Sequence, residues 1–306
     1  MIYFYRFDYE NVYRWTAWLT AVYLIIILGT QSLFADEKGQ QIGLLWQIDK
    51  PGFTPSYLLG TIHSEDQRVI QLPDAISSHF ETADSVSLEL LMDIPTILKS
   101  ANAMFFQDDE SLDQVIDKAL FDKIVTVMVQ YKMPQMMVKK LKPWAVVATL
   151  SAPPPKTGIF LDLQLYKKAQ ELGIKTYGLE KVEEQLAVFE RLSLKQQISL
   201  LKETVKRIDD MPATFNKLHE LYLKRNLTEL MEYSIKYMRE SSDDKVLIDS
   251  FYKGIVDKRN IIMVKRMEKR LKEGNAFIAV GALHLPGKNG ILQLLQQRGY
   301  QVSAVY

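Results

Sequence analysis

The chain has 306 residues, of which 47% are apolar and 25% charged, with a formal net charge of +1. This is ordinary globular composition, enough for one large domain or two small ones, without the basic excess that nucleic-acid binding needs. The absence of cysteine removes disulfides, thiolate nucleophiles, cysteine-based zinc sites and a lipid anchor on cysteine.

Residues 15–28 (WTAWLTAVYLIIIL) are uncharged and mostly apolar. Their length suits the apolar core of a signal peptide better than a membrane span, which needs roughly 20 residues. Ser32-Leu33-Phe34-Ala35 offers a cleavage point after Ala35. Against this, Arg6 and Arg14 are balanced by Asp8 and Glu10, whereas the start of a signal peptide is normally positive. An uncleaved anchor is the alternative, and a buried N-terminal helix is the bland reading. The first two predict a chain exported to a periplasmic or extracellular space, with residues 15–28 as the point of any membrane association. The expected division is residues 1–35 as signal peptide or anchor and residues 36–306 as one domain.

Residues 36–41 read as a polar linker or a new N-terminus. Residues 44–49 (LLWQID) and 56–62 (SYLLGTI) read as strands around a Pro/Gly turn at 50–55, which predicts a hairpin. Pro73 and Asp74 open a helix that runs to Phe80, and residues 84–90 (DSVSLEL) form a third strand. From 94 to 147 the apolar spacing is helical, until Pro153-Pro154-Pro155 and Gly158 break it. Residues 162–172 predict a helix stopped by Gly173. Residues 174–179 (IKTYGL) predict a strand. Ser193 and Gln196 make a capping box for a helix whose apolar face carries Leu194, Ile198, Leu201, Val205 and Ile208. Helices continue to 271. The chain then returns to a strand at 276–280 (AFIAV), a helix at 290–297 and a strand at 301–306 (QVSAVY). The predicted class is α/β: a central mixed β-sheet from the N- and C-terminal thirds, with large helical insertions in the middle.

Two strands end alike. Gly60-Thr61-Ile62-His63 closes the second and Gly281-Ala282-Leu283-His284 the penultimate one, in a chain with only four histidines. Residues at the carboxyl ends of strands point into a shared crevice in open α/β sheets. Two neutral imidazoles there, with a carboxylate, would make a three-ligand metal site with an open position for water. The bland reading is that each histidine caps a strand. His79 and His219 lie on helical stretches and read as surface or packing residues. Glu89, between Leu88 and Leu90, is the carboxylate candidate, because a charge there is costly unless paired or liganded. Glu180 ends the 174–179 strand in the same way. Convergence of His63, Glu89, Glu180 and His284 requires strands running in compatible directions, which sequence does not establish. Arg259, beside Asn260 on a helix, either steadies an oxyanion or clamps a carboxylate, or is a solvated helix charge. Met104, Phe105, Phe106, Met133, Met136 and Met137 are core or a lid.

These segments together resemble the TraB/GumN family, which includes the Tiki-type proteases. The resemblance rests on Leu44-Leu45-Trp46, on residues 56–63, on Leu72-Pro73, on Ala83-Asp84 through Glu89, and on Leu141-Lys142-Pro143-Trp144. It continues through Leu161-Asp162, Gly178-Leu179-Glu180, Gln185 and Arg259-Asn260 to Val280–Gly287, and covers residues 42–306. It implies an erythromycin-esterase-like fold and a metal-dependent hydrolase, with manganese or cobalt as the ion of the Tiki branch and zinc as a further candidate. By position it makes His63 and His284 the motif histidines, Glu89 the acidic residue and Arg259 the basic one.

The expected function is a peptidase-like hydrolase of the cell envelope. His63, His284 and Glu89 would hold the ion, Arg259 would steady the oxyanion, and Glu180 would act as general base or orienter. The alternative is a non-catalytic envelope protein that binds a ligand or a structural ion at the same place. A metal-free esterase would need a serine nucleophile, and no Gly-x-Ser-x-Gly is present. The substrate class is a peptide or small molecule, not nucleic acid.

Overall fold

A computed structural model describes residues 40–107 and 109–306. The apolar run at 15–28 and the cleavage point at Ala35 lie outside the described residues. Among the described residues no helix is long and apolar enough to cross a membrane.

Six strands form one mixed sheet: β1 (Leu45–Asp49), β2 (Ser56–Thr61), β3 (Ser85–Leu88), β4 (Lys175–Gly178), β5 (Ala276–Gly281) and β6 (Gln301–Ala304), in the order β4-β3-β5-β2-β1-β6. β1 and β2 are the expected hairpin, with Leu45 opposite Leu59. β1 also runs antiparallel to β6. The other neighbours, β2 with β5, β5 with β3 and β3 with β4, are parallel. β5 (AFIAVG) is buried along almost its whole length, as a parallel strand covered on both faces must be. The edge strands β4 and β6 are short and largely exposed, which blunts them against edge-to-edge pairing.

The apolar interior has two parts. One lies on the sheet and the helices packed against it, chiefly Met211–Leu223, Lys258–Glu273 and Ile291–Gln297, with Phe80 edge-on to Phe277. The other is the interior of the helical insertions, built on Trp144 stacked over Phe189. Met104 and Met133 belong to this second core, Phe105 and Met137 pack against it, and Met136 is 79% exposed.

The capping box at Ser193 and Gln196 is present, but that helix stops at Lys206. Ile208 sits in the following 3-10 turn, Ile208–Asp210. Gln41 is not free linker. Its N–H donates to Thr228 Oγ1, its carbonyl accepts from Leu227 N, and its side-chain oxygen accepts from Gly287 N.

Candidate functional site

The parallel run β4-β3-β5-β2 sends four carboxyl ends to one edge of the sheet. In that order the residues leaving those ends are Glu180, Glu89, His284 and His63. Sequence could name the four residues. The strand directions, set by long-range pairing, are what bring them together.

The glycines of the two motifs make room for one another. A Cβ on Gly60 would stand 2.8 Å from Leu285 Cδ1 and 3.1 Å from Ala282 Cα, so the turn carrying His284 can lie against β2 only over a bare Cα. A Cβ on Gly281 would stand 3.2 Å from Glu89 Oε1 and 3.5 Å from His284 Cδ2. The Gly281 N–H instead donates to Glu89 Oε1 at 2.6 Å.

His284 lies in a 3-10 turn directly after β5. Its Nδ1 is 2.6 Å from Asn260 Oδ1, and Asn260 Nδ2 donates to Asn289 O at 2.8 Å. The amide is thereby oriented with its oxygen toward the ring, Nδ1 carries the proton, and Nε2 keeps its lone pair. That Nε2 faces Glu89 Oε1 at 3.7 Å. Burial, reinforced by the Arg259 charge and opposed by Glu180, lowers the His284 pKa to about 3.

His63 has its Nδ1 3.2 Å from Asp162 Oδ2, and Thr61 Oγ1 donates to Asp162 Oδ1 at 2.9 Å. Phe160 covers the ring edge-on, with centroids 5.0 Å apart. Burial lowers the His63 pKa to about 4, against the opposing pull of Glu89. Burial and the neighbouring Glu89 charge raise that of Asp162 to about 7.

Arg259 is no solvated helix charge. It is buried, with Nε donating to both Glu180 oxygens at 3.0 Å and Nη2 to Glu180 Oε2 at 2.6 Å and Glu89 Oε2 at 2.5 Å. A π-helical turn, Lys253–Asp257, precedes its helix, and Arg259 Nη1 donates to Ile255 O from that turn. Such widened turns are frequent at functional sites. Gln185 Nε2 completes the cluster by donating to Glu180 Oε2 at 2.9 Å. Glu180 has no solvent-exposed side-chain surface, and both its oxygens accept hydrogen bonds from Arg259.

The donor set fits a divalent transition-metal ion. Two imidazoles are neutral; His284 Nδ1 is hydrogen-bonded to Asn260 Oδ1, as the second nitrogen of a ligating histidine usually is, whereas His63 Nδ1 stands 3.2 Å from Asp162 Oδ2 without hydrogen-bond geometry. A carboxylate oxygen stands before one Nε2 at 3.7 Å, too far for a hydrogen bond. Two donors each about 2.1 Å from a tetrahedral ion would be roughly 3.4 Å apart. One guanidinium stands against two carboxylates in the adjoining cluster. Among the described residues no three His, Asp or Glu side chains stand together as a ligand cage, so the fit is one of donor chemistry alone.

The structure therefore brings together His63, Glu89, Glu180, Arg259 and His284, and adds Asp162, Asn260, Gln185 and Thr61. Asp162 sits between Leu161 and Leu163 just as Glu89 sits between two leucines, and that was the signal for it. His79 is outside the site, stacked on Tyr57 at 3.8 Å. His219 lies at the margin, its Nε2 2.6 Å from Ser64 Oγ. A separate cavity among the helices, lined by Leu200, Phe215, Tyr237 and Phe251, shares no lining residue with the site.

The profile of the TraB/PrgY/gumN family matches residues 44–304. The chain is similar to metalloprotease TIKI2 of Danio rerio, 26% identical over 84% of this chain and 60% of that protein. It is similar to metalloprotease TIKI2 of Xenopus tropicalis, 25% identical over 94% of this chain and 67% of that protein. The human metalloprotease TIKI1 is 26% identical over 87% of this chain and 62% of its own length. The chain thus spans about three-fifths to two-thirds of these relatives. No solved structure matches it.

Proposed function

The chain belongs to the TraB/PrgY/gumN family, and from that premise we propose that it is a metal-dependent hydrolase of peptide bonds, with His63, His284 and Glu89 as the residues that hold the ion. The observation that carries the reading is the pairing of two Gly-x-x-His ends on adjacent parallel strands, with Nδ1 of each histidine facing an acceptor and a carboxylate before the Nε2 of His284. The names of the TIKI relatives support it.

A bound divalent ion would supply a nucleophilic water at neutral pH and polarise the scissile carbonyl; manganese, cobalt and zinc are the candidates. The protein's own groups do the positioning. Asn260 fixes the His284 ring, and Asp162 and Phe160 flank that of His63. Thr61 and the Gly281 N–H fix the carboxylates of Asp162 and Glu89. Arg259, clamped by Glu180 and Gln185, holds the other oxygen of Glu89. Export through residues 1–35 belongs to the same proposal.

The test is the metal content of the purified full chain beside His63→Ala and His284→Ala, followed by cleavage of a peptide library with and without chelator. Stoichiometric metal lost in both variants, with chelator-sensitive cleavage, is the expected result. Metal without turnover would leave a metal-binding envelope protein, and no metal at any concentration would overturn the reading.

A further inference from the structure

Glu65, two residues past His63, has its carboxylate fixed on a loop remote in sequence. Its Oε2 accepts from Lys156 N at 3.0 Å, Thr157 N at 2.7 Å and Thr157 Oγ1 at 3.1 Å, and its Oε1 accepts from Gly158 N at 2.8 Å. Three successive backbone N–H groups thus converge on one carboxylate, an anion-binding concavity of the kind formed when a residue of left-handed conformation ends the run. Gly158 provides that conformation, with φ of 81°. The three prolines just before, Pro153-Pro154-Pro155, have no N–H to donate and fixed φ, so this loop cannot pair with a strand or continue a helix. Its donors need an acceptor from elsewhere, and hydrogen bonds to an ionised acceptor are roughly twice as strong as neutral ones.

The loop leads straight into the groups that stand against His63. Phe160, whose ring stands edge-on to the imidazole, follows Gly158 by two residues, and Asp162, 3.2 Å from His63 Nδ1, follows it by four. The chain is therefore closed into a ring around one histidine: His63, Glu65, the 156–158 loop, Phe160 and Asp162, and back to His63.

We propose that Glu65 is a positioning residue: it latches the 156–158 loop to the end of β2 and so fixes Phe160 and Asp162 against the His63 imidazole. This rests on the reading of His63 as a site residue, but its test does not require a metal. In the metal-free full chain, long-range nitrogen–proton correlation spectra resolve the tautomer of each of the four histidines. Glu65→Ala should move the His63 signals toward a mixture of tautomers while those of His79 and His284 stay in place. Added formate or acetate, filling the vacated concavity, should restore them, and Glu65→Gln should give a smaller shift of the same kind. Manganese affinity, where the wild type binds, should fall about tenfold in Glu65→Ala, as for other groups that orient a ligand.

Unchanged His63 signals in both variants would overturn the latch. So would a collective change of all four histidines that carboxylates do not reverse, because that is general loosening of the fold. Failure of wild-type manganese binding with the tautomer shift intact would overturn the metal reading and leave the latch standing.

Discussion

At the scale of single residues, the site holds two histidines in a form that acid must oppose. The pKa values of His284 and His63 lie near 3 and 4, below the ordinary 6.5, because their burial penalises the charged ring. The native state then binds fewer protons than the unfolded chain, and stability from this source is complete above pH 6.5 and lost as pH falls toward 4 and 3. Asp162 has the opposite sign. Its value of about 7 exceeds 3.8, so its contribution is complete below pH 3.8 and lost as pH rises through 7. Two histidines against one aspartate leave one net proton taken up on unfolding between these limits. Thermal melting of the metal-free protein should therefore occur at lower temperature at pH 4.5 than at pH 6.5, and the difference should shrink in His284→Asn. Equal differences in the two proteins would refute the assignment.

Arg259 carries a second consequence at this scale. Removing one partner of a buried ion pair strands the other charges, at a cost of about 3–5 kcal/mol. Arg259→Met would leave Glu89 and Glu180 facing each other without the guanidinium that now bonds to both. We expect a loss of stability of about that size in urea unfolding, while Arg259→Lys, which keeps a charge but not the fork, should lose less. Equal losses in the two variants would mean that a positive charge without the fork contributes nothing.

At the scale of elements, the glycines divide between strand packing and the site. Gly60→Ala pushes a methyl onto the Ala282 backbone and Leu285, neither of which yields cheaply, and overpacking of this kind costs about 1–3 kcal/mol. Gly281→Ala meets a carboxylate oxygen 3.2 Å away, which can move by a few tenths of an ångström. Urea unfolding should therefore show the larger loss for Gly60→Ala, and metal titration the larger weakening for Gly281→Ala. The reverse ranking would show that the packing around Gly281 is the stiffer of the two. The same elements mark what sequence made legible. Both Gly-x-x-His ends, the strand ends at Glu89 and Glu180, the hairpin and the helices Asp74–Glu81, Leu161–Glu171, Leu194–Lys206 and Ile291–Gln297 follow from periodicity, capping and turn residues, while the other long helical stretches were legible as helical but not as separate helices. Strand direction does not, because it is fixed by pairing between β2 and β5, which lie more than two hundred residues apart. The burial of Arg259 was hidden for a related reason. Its neighbour Lys258 looks like part of an exposed face, and only the preceding π-helical turn and the two incoming glutamates show where the side chain goes.

At the scale of the whole molecule, the site occupies the seam between the two apolar cores. Glu89 has Leu88 of the sheet core on one side and Leu90 of the helical core on the other. Asp162 lies between Leu161 and Leu163 in the same way, and Glu180 between Leu179 and Val182. Arg259 lies between Val256 of the helical core and Met263 of the sheet core, and Tyr166 and Ile208 pack against both cores. A buried ionic cluster stays dry only while both walls are closed, and opening either would admit water to charges whose pairing depends on its exclusion. Chains of this length commonly unfold through intermediates, so coupling of the two cores is a definite expectation. Trp46 belongs to the sheet core and Trp144 to the helical one. With Trp15 and Trp18 replaced by phenylalanine, chains retaining only Trp46 or only Trp144 should each show a single urea transition when followed by fluorescence and by circular dichroism. In each chain the two probes should give the same midpoint, and saturating metal should raise both probes' midpoints together, because a ligand of the native state stabilises whatever unfolds with its site. An earlier Trp144 transition that metal does not shift would mean that the helical insertions open without disturbing the strand ends, and that the sheet alone holds the ion.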